Sequence, residues 1–170
     1  MASSAPHPEL VRNLVLVGGR GCGKSSVAKR ILRRNRNFHL FCLDALVRYE
    51  AGGLTIPEIV EREGWLGFRD REFAVVEKVA AFERGALVDC GGGVGVDLDV
   101  EGQEIRSERK ISALRRHGLV VYLQRDADYL LERIGHDPNR PDLSATESFV
   151  ELMARRDPWY REAADFTLEC

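Results

Sequence analysis

The sequence predicts an α/β domain in which helices cover a five-stranded parallel β-sheet. Short apolar runs bounded by turn residues alternate with amphipathic stretches of helical length, which is the pattern of strands joined by crossover helices. A glycine-rich stretch between the first such run and the first such helix fits this fold class, because loops of that kind join a strand to a helix. A length of 170 residues suits a single domain with a full hydrophobic core.

Five short runs are predicted to form the strands. They are Asn13–Val17, Phe38–Cys42, Ala86–Cys90, Leu119–Leu123 and, at one edge, Asp165–Glu169. Because helices separate them along the chain, we expect the strands to be parallel and the helices to lie on both faces of the sheet. Residues 1–11 begin with a polar, proline-containing stretch and are predicted to be disordered.

Helices are predicted between these strands. They are Ser25–Arg34, a helix starting at Thr55, Trp65–Arg84, Arg109–His117, Asp126–Ile134, Thr146–Arg156 and Trp159–Ala164. Thr55 and Glu58 have the spacing of a capping box, and Pro158 indicates a break between the last two helices. We expect residues 94–110 to be irregular with solvated charges, and residues 135–146 to form a mobile lid because two prolines and a glycine oppose regular structure there.

Composition excludes several classes of function. The formal net charge is -2, so no basic field favours nucleic acid or a membrane surface as a partner. No apolar run approaches membrane-spanning length. The four cysteines lack C-x-x-C spacing and are predicted to be reduced thiols. These observations predict a cytoplasmic protein, which we expect to be a monomer.

The glycine-rich stretch after the first strand matches the phosphate-binding loop G-x-x-x-x-G-K-[ST]. It consists of Gly18, Gly19, Arg20, Gly21, Cys22, Gly23, Lys24 and Ser25, followed by Ser26. Glycines allow successive backbone N–H groups to point at one anion, and the following helix N-terminus adds partial positive charge. Lys24 is predicted to reach the β- and γ-phosphates, and Ser25 to ligate Mg²⁺. The loop therefore predicts a nucleoside triphosphate site but does not choose the reaction.

A second group of residues indicates the other substrate. Asp44 follows the second strand, Gly91, Gly92 and Gly93 follow the third, and Arg69 and Arg156 lie on predicted helices. Glu72, three residues after Arg69, is placed to orient its guanidinium group. A hydroxyl acceptor, two arginine forks for a carboxylate and a bare backbone surface together suit a small polyhydroxy acid.

These motifs, in this order, resemble the shikimate kinase family over about residues 12–169. The resemblance rests on the phosphate-binding loop, Asp44, the Ile59 to Glu72 segment with Gly64-Trp65 and Phe68-Arg69, the glycine triplet, Arg140-Pro141, and Arg156 with Tyr160. It implies a nucleoside-monophosphate-kinase-like, three-layer α/β/α fold with a lid. It also implies ATP-dependent phosphorylation of the 3-hydroxyl of shikimate in aromatic amino acid biosynthesis.

The resemblance further implies a role for each site residue. Asp44, Lys24 and Arg140 would be catalytic, and Asp44, Arg69, Arg156 and the glycine triplet would bind shikimate. ATP would contact Gly19, Arg20, Gly21, Cys22, Gly23, Lys24, Ser25 and Ser26 of the loop, together with Arg133 against adenine and Arg140 from the lid. The family normally continues into an adenine-side loop beyond the position of Cys170, so we expect reduced adenine contacts here.

The magnesium site is expected to differ from the family pattern. Family members usually carry an acid two residues before the substrate aspartate, where this chain has Cys42. We predict that Asp89, at the end of the third strand, joins Ser25 in the Mg²⁺ shell, since phosphate-loop proteins commonly hold the metal there. The alternative is that Asp89 accepts N–H bonds from the glycine loop.

Two other functions are compatible with the sequence. One is a different small-molecule kinase with the same loop, such as a gluconate kinase, which would also use arginines. The other is a catalytically impaired relative that binds a nucleotide without transferring phosphate, which the Cys42 substitution makes possible. The contexts of Arg69 and Arg156 and the glycine triplet favour shikimate.

Overall fold

The computed structural model describes residues 12–134 and 148–170. Its strands are β1 (Asn13–Val17), β2 (His39–Cys42), β3 (Ala86–Asp89), β4 (Val96–Leu98), β5 (Glu104–Arg106), β6 (Gly118–Gln124) and β7 (Phe166–Glu169). Its helices are α1 (Lys24–Arg34), α2 (Leu43–Glu50), α3 (Ile56–Ala80), α4 (Glu108–Arg115), α5 (Ala127–Ile134) and α6 (Phe149–Ala163). None of the described helices is both long and apolar enough to cross a bilayer.

The main sheet has five strands in the order β2-β3-β1-β6-β7, and every neighbouring pair is parallel. This confirms the predicted sheet, including the edge strand near residue 166. The crossover through α1 runs toward one edge and the crossovers through α3 and α4 run toward the other, so right-handed connections place these helices on opposite faces. The contact between α3 and α4 agrees with a shared face. The fold is the predicted three-layer α/β/α arrangement.

Because the strands are parallel, the segments that follow them meet at the carboxyl ends of the strands. β1 ends before the phosphate-binding loop, β2 before Asp44, and β3 before Gly91. The strands themselves form the core, with Leu16, Leu87 and Leu123 each almost fully buried. The apolar interior therefore fixes where the polar loops meet, which is the usual origin of a ligand site in such folds.

Helix α3 begins as predicted. The Thr55 side chain accepts a hydrogen bond from the Glu58 backbone, and the Glu58 carboxylate accepts one from the Thr55 backbone at 2.7 Å, completing the capping box. Gly64 interrupts the helix with a φ of 69° and a ψ of 176°, values that favour glycine. The break separates the capped first part from the second part, which carries Arg69 and Glu72.

Helix α2 was not predicted by the sequence analysis. It begins directly after β2, with Cys42 in the capping position and no side-chain cap hydrogen bond. The sequence therefore lacks the usual start signal of a helix. Asp44 lies in the first turn, where its negative charge interacts favourably with the helix dipole.

The prediction of irregular structure over residues 94–110 was wrong, and the prediction of solvated charges holds for exposed residues such as Glu101 and Glu108 but not for the buried ones. β4 and β5 form an antiparallel hairpin there, and its turn is organised by Asp99, whose Oδ1 accepts hydrogen bonds from the backbone of Glu101 and Gln103. Lys110 is fully buried, and Asp97 is 8% exposed. These charges pack against α3 instead of facing water, a contact that no local pattern revealed.

The predicted break before residue 159 was also wrong. Helix α6 is continuous from Phe149 to Ala163, and Pro158 lies inside it. A proline removes one N–H from the helix, and the residue whose carbonyl loses that partner, Ala154, lies at the surface, where water can bind it. The helix instead begins with a capping box between Ser148 and Glu151.

Candidate active site

The phosphate-binding loop forms a backbone cradle between β1 and α1. Gly18, Gly21 and Gly23 have φ values of 142°, 84° and 102°, so the glycines at these positions are required by the backbone. Helix α1 starts at Lys24, within the loop motif, and the N–H groups of a helix's first turn have no partner inside the helix. The cradle has the geometry of an anion site.

Lys24 lies folded against this loop. Its Nζ donates to the carbonyl oxygens of Gly18 at 2.9 Å and Gly19 at 3.0 Å, and the residue is only 8% exposed. The ammonium group is thus held at the loop by backbone dipoles. Ser25 and Ser26 follow it at the start of α1 and are exposed, so their hydroxyl groups are accessible to a ligand in the cradle.

A cationic groove lies on the outer side of the loop. Gly21, Cys22, Gly23, Ser26 and Arg133, all predicted to contact ATP, line it together with Val27, Lys29, Arg30, Arg33, Arg125, Tyr129 and Cys170. Arg125 lies over the Tyr129 ring, with 4.8 Å between its Cζ and the ring centroid, and Arg133 lies 5.9 Å from the same centroid. The basic residues Lys29, Arg30 and Arg33 of α1 border this groove. Arg125 and Tyr129 were missed because neither belongs to a recognisable motif.

A second pocket is lined by the glycine triplet. The structure brings together in it the predicted residues Asp44, Arg69, Gly91, Gly92, Gly93 and Arg156, and also Arg20 from the phosphate-binding loop. Ile56, Trp65, Phe68, Glu72 and Met153 complete the lining. Trp65 and Phe68 belong to the segment that carried the resemblance, whereas Ile56 and Met153 gave no sequence signal.

No residue larger than glycine would fit at the triplet without displacing a neighbour, because three groups approach its backbone closely. A Cβ at Gly91 would lie 2.4 Å from Asp44 Oδ1, and a Cβ at Gly93 would lie 2.6 Å from Arg69 Nη1. A Cβ at Gly92 would lie 3.0 Å from the backbone nitrogen of Arg20. The triplet therefore sets the positions of the acid, the arginine and the phosphate loop relative to one another.

Arg69 is held almost fully buried at the pocket wall. Its Nη1 donates to Glu72 Oε2 at 3.0 Å and to the Gly93 carbonyl at 3.2 Å. Its Cζ lies 5.4 Å from the Trp65 ring centroid and 5.2 Å from that of Phe68, close enough for cation–π attraction. Nε is buried without a partner in the described part of the chain. Arg69 lines the pocket, and a guanidinium group with an unused donor suits a carboxylate acceptor.

Arg156 faces the same pocket and is 1% exposed. Its Nε donates to Glu104 Oε2 at 3.0 Å, and its Nη2 donates to Glu104 Oε1. Tyr160, one turn further on, donates its hydroxyl to the Gly92 carbonyl and so fixes α6 to the triplet. Burial raises the pKa of Tyr160 to about 12, so this hydroxyl keeps its proton at neutral pH.

Asp89 and Cys42 are neighbours in the sheet at the end of β3 and β2. Asp89 is 5% exposed, and its carboxylate accepts no hydrogen bond from residues 12–134 or 148–170. Hydrogen bonds from the glycine loop, the alternative considered above, are thus not seen in these ranges. Burial, and then the nearby carboxylates of Asp89 and Asp44, raise the pKa of the Cys42 thiol, which therefore stays neutral and is a poor replacement for an acid. None of the four cysteines is in a disulfide, as predicted.

Two of the predicted segments lie outside the described residues. One is the predicted lid over residues 135–146, which includes Arg140 and falls in the range 135–147. The other is the predicted disordered terminus, residues 1–11. The remaining predicted site residues line one of the two pockets, except for four that line neither: Gly19, Lys24, Ser25 and Asp89.

Comparisons with known proteins agree with this geometry. Residues 20–169 match the model of the family described as shikimate kinase. A protein from Leptospira biflexa named shikimate kinase is 41% identical over 156 residues, covering 92% of this chain and 85% of its own length. The structure of shikimate kinase from Acinetobacter baumannii in complex with shikimate superposes with a TM-score of 0.78 at 30% identity, covering 94% of this chain and 84% of that one. The enzyme from Aquifex aeolicus gives a TM-score of 0.74 at 26% identity, with coverage of 92% and 86%. With a loop for phosphates on one side of the glycine triplet and paired arginines on the other, this chain belongs to the shikimate kinase family.

Proposed function

We propose that this protein transfers the γ-phosphoryl group of ATP to the 3-hydroxyl of shikimate, giving ADP and shikimate 3-phosphate. The observation that carries the proposal is the convergence of Asp44, Arg69 and Arg156 in one pocket beside the phosphate-binding loop. The presence of shikimate in the related Acinetobacter baumannii structure supports the choice of substrate. A hydroxyl acceptor and a pair of guanidinium groups line this pocket together, which matches the two kinds of polar group on a hydroxylated ring acid.

Substrate binding follows from the donors that remain available. The Nε of Arg69 is buried without a partner in the described residues, and Arg69 and Arg156 both line the pocket. We assign the substrate carboxylate to these two groups and the ring to the backbone of Gly91–Gly93. Asp44, beside Gly91, then accepts a hydrogen bond from the hydroxyl that attacks.

Phosphoryl transfer needs positioning and charge stabilisation more than covalent help from the protein. The bond from the γ-phosphorus to the β,γ-bridging oxygen breaks, the hydroxyl oxygen takes its place, and we place the released proton on Asp44. Lys24 and the loop N–H groups stabilise the charge on the equatorial oxygens in a loose transition state. Arg140 is assigned the same role from the lid side, as the family resemblance implies.

The donors near the loop fit Mg²⁺. Ser25 offers an exposed hydroxyl and Asp89 a carboxylate with no hydrogen bond within the described ranges, and both are hard oxygen donors. No group of three or more His, Cys, Asp or Glu residues that could hold a metal occurs in the described part of the chain. Two protein ligands are sufficient for Mg²⁺, which takes its other ligands from water and phosphates. When bound, the ion would neutralise phosphate charge.

On the ATP side we assign Gly19–Ser26 to the phosphates and Arg133 to the adenine face. The groove around Tyr129 supports this assignment because its arginines and aromatic ring suit a nucleotide. A monomeric state and a cytoplasmic location stay predictions from the sequence.

Incubation with Mg-ATP and either shikimate or gluconate tests the proposal. We expect mass spectrometry to detect the phosphorylated acid only with shikimate, and Arg69→Met to raise KM for shikimate while leaving KM for ATP unchanged. Arg71→Met is the matched control, because Arg71 lies on the same helix but pairs with Glu63 at the surface. Product from gluconate alone would identify the other kinase, and ATP binding without product from either acid would indicate a nucleotide-binding relative.

A further inference from the structure

The β4–β5 hairpin contributes a carboxylate that binds the back of Arg156. Glu104 on β5 accepts from Nε and Nη2 of Arg156, one bond to each carboxylate oxygen, and from Nη1 of Arg155 at 2.8 Å. We propose that Glu104 is a positioning residue, which fixes the Arg156 guanidinium so that its opposite edge receives the substrate carboxylate. The inference rests on the proposed function and assigns a role to a segment that the sequence left without one.

Burial makes such a partner necessary. Arg156 is 1% exposed, and a buried cation without a counter-ion is strongly unfavourable. Burial alone would raise the pKa of Glu104, but the hydrogen bonds and charges of Arg156 and Arg155 outweigh it and hold the pKa below its usual value. Glu104 is therefore an anion at neutral pH, and it compensates Arg156 before substrate arrives.

The shape of the guanidinium group leaves one edge for the substrate. Glu104 occupies the edge formed by Nε and Nη2, whereas Nη1 donates to no residue in the described ranges. Because the group is planar and rigid, fixing one edge also fixes the direction of the other. The edge formed by Nη1 and the second hydrogen of Nη2 is thus aimed without the substrate having to order a long side chain.

The same hairpin supports the second arginine through a chain of charges. Asp97 on β4 lies 3.6 Å from Lys110 Nζ, Lys110 donates to Glu72 at 2.7 Å, and Glu72 holds Arg69. Both arginines of the pocket therefore depend on one hairpin, directly for Arg156 and indirectly for Arg69. Glu104 is the better test, since its contact with Arg156 is direct.

The test compares Glu104→Ala with Glu101→Ala. Glu101 lies in the turn of the same hairpin, is exposed, and makes no side-chain hydrogen bond or ion pair with the described residues, so it controls for changes to the hairpin itself. Calorimetry gives Kd for shikimate and for its neutral methyl ester, and steady-state kinetics give kcat and KM. Glu104→Gln is measured in parallel, because glutamine keeps the shape of the side chain. It replaces the alanine variant in the test if that variant does not fold.

We expect Glu104→Ala to raise Kd and KM for shikimate roughly tenfold, on the scale of one charge-assisted hydrogen bond. We expect kcat, KM for ATP and Kd for the methyl ester to change less than about twofold, since only carboxylate binding is affected. Equal losses for acid and ester would indicate a structural role and overturn the proposal, as would unchanged or tighter shikimate binding. If the wild-type protein does not phosphorylate shikimate, the proposed function fails. That outcome is measured on the wild type alone and is therefore distinct from any result obtained with the variants.

Discussion

Replacing Glu72 by glutamine should destabilise this protein strongly, because Glu72 is the shared anion of two buried cations. Its Oε2 lies 3.0 Å from Arg69 Nη1 and 2.7 Å from Lys110 Nζ, and the exposed fractions of the three side chains are 2%, 3% and 0%. Burial alone would raise the pKa of Glu72, but the charges of Lys110 and Arg69 outweigh it and lower the pKa. The carboxylate is therefore ionised at neutral pH.

The expected cost follows from what the substitution leaves behind. Glutamine keeps the size of the side chain but leaves Arg69 and Lys110 facing each other without the anion between them. Removing one partner of a buried ion pair costs about 3–5 kcal/mol, out of a typical total stability of about 5–15 kcal/mol. For a domain of this size, we expect the melting temperature to fall by about 10 °C.

Urea unfolding followed by circular dichroism measures the loss. Glu77→Gln is the matched control, because Glu77 lies on the same helix, is half exposed and is 3.8 Å from its partner Arg116. We expect that control to cost less than about 1 kcal/mol. In the double variant with Lys110→Met, the cost should be clearly smaller than the sum of the two single costs. A Glu72→Gln variant as stable as the control, or strictly additive costs, would refute the description of this cluster as a coupled buried network.

The remaining predictions concern the glycine triplet, the hairpin and the metal. Gly91→Ala should lower kcat/KM for shikimate at least about 100-fold without weakening ATP binding, because its Cβ would lie 2.4 Å from Asp44 Oδ1; Gly95→Ala, whose Cβ would make only ordinary contacts, is the control. The pKa of Asp97 is lowered to about 2, where hydrogen bonds from Arg109 and Ser107 outweigh burial, so its stabilising effect is lost as pH falls from about 4 through about 2. Asp97→Asn should therefore remove part of the acid dependence of the unfolding free energy, and an unchanged pH profile would contradict this. Asp89→Asn should raise the apparent Mg²⁺ requirement for turnover, and an unchanged requirement would remove Asp89 from the metal shell.

The sequence predicted the parts of the fold that depend on local signals. The five sheet strands follow apolar runs, the phosphate loop follows glycine spacing, and the start of α3 follows the capping box of Thr55 and Glu58. Helix α2 was missed because it begins at Cys42 with no capping side chain. The continuity of α6 was missed because Pro158 is a local helix breaker whose cost depends on exposure, which sequence does not give.

The candidate site was predictable where a residue type, such as arginine or glycine, has few chemical roles at a ligand site. Asp44, Arg69, Arg156 and the triplet were expected to converge, and they line one pocket. The partners of the arginines were only half predictable. Glu72 lies three residues from Arg69 on one helix, whereas Glu104 lies 52 residues from Arg156 and on a different element. Partners that are distant in the sequence follow no characteristic spacing, so only the three-dimensional structure identifies them.

Under the proposed function, the paired state of the two arginines would allow this pocket to select an acid by shape. Without these partners each arginine could turn its donors in several directions, but Arg69 is held by Glu72 and Arg156 by Glu104, so the donors have fixed directions before a ligand arrives. What remains is a set of aimed N–H donors, including the unpartnered Nε of Arg69. Such donors reward an acceptor only at the correct distance and angle. Under the proposed function, the hairpin therefore contributes direction, and not additional charge, to the binding of the substrate carboxylate.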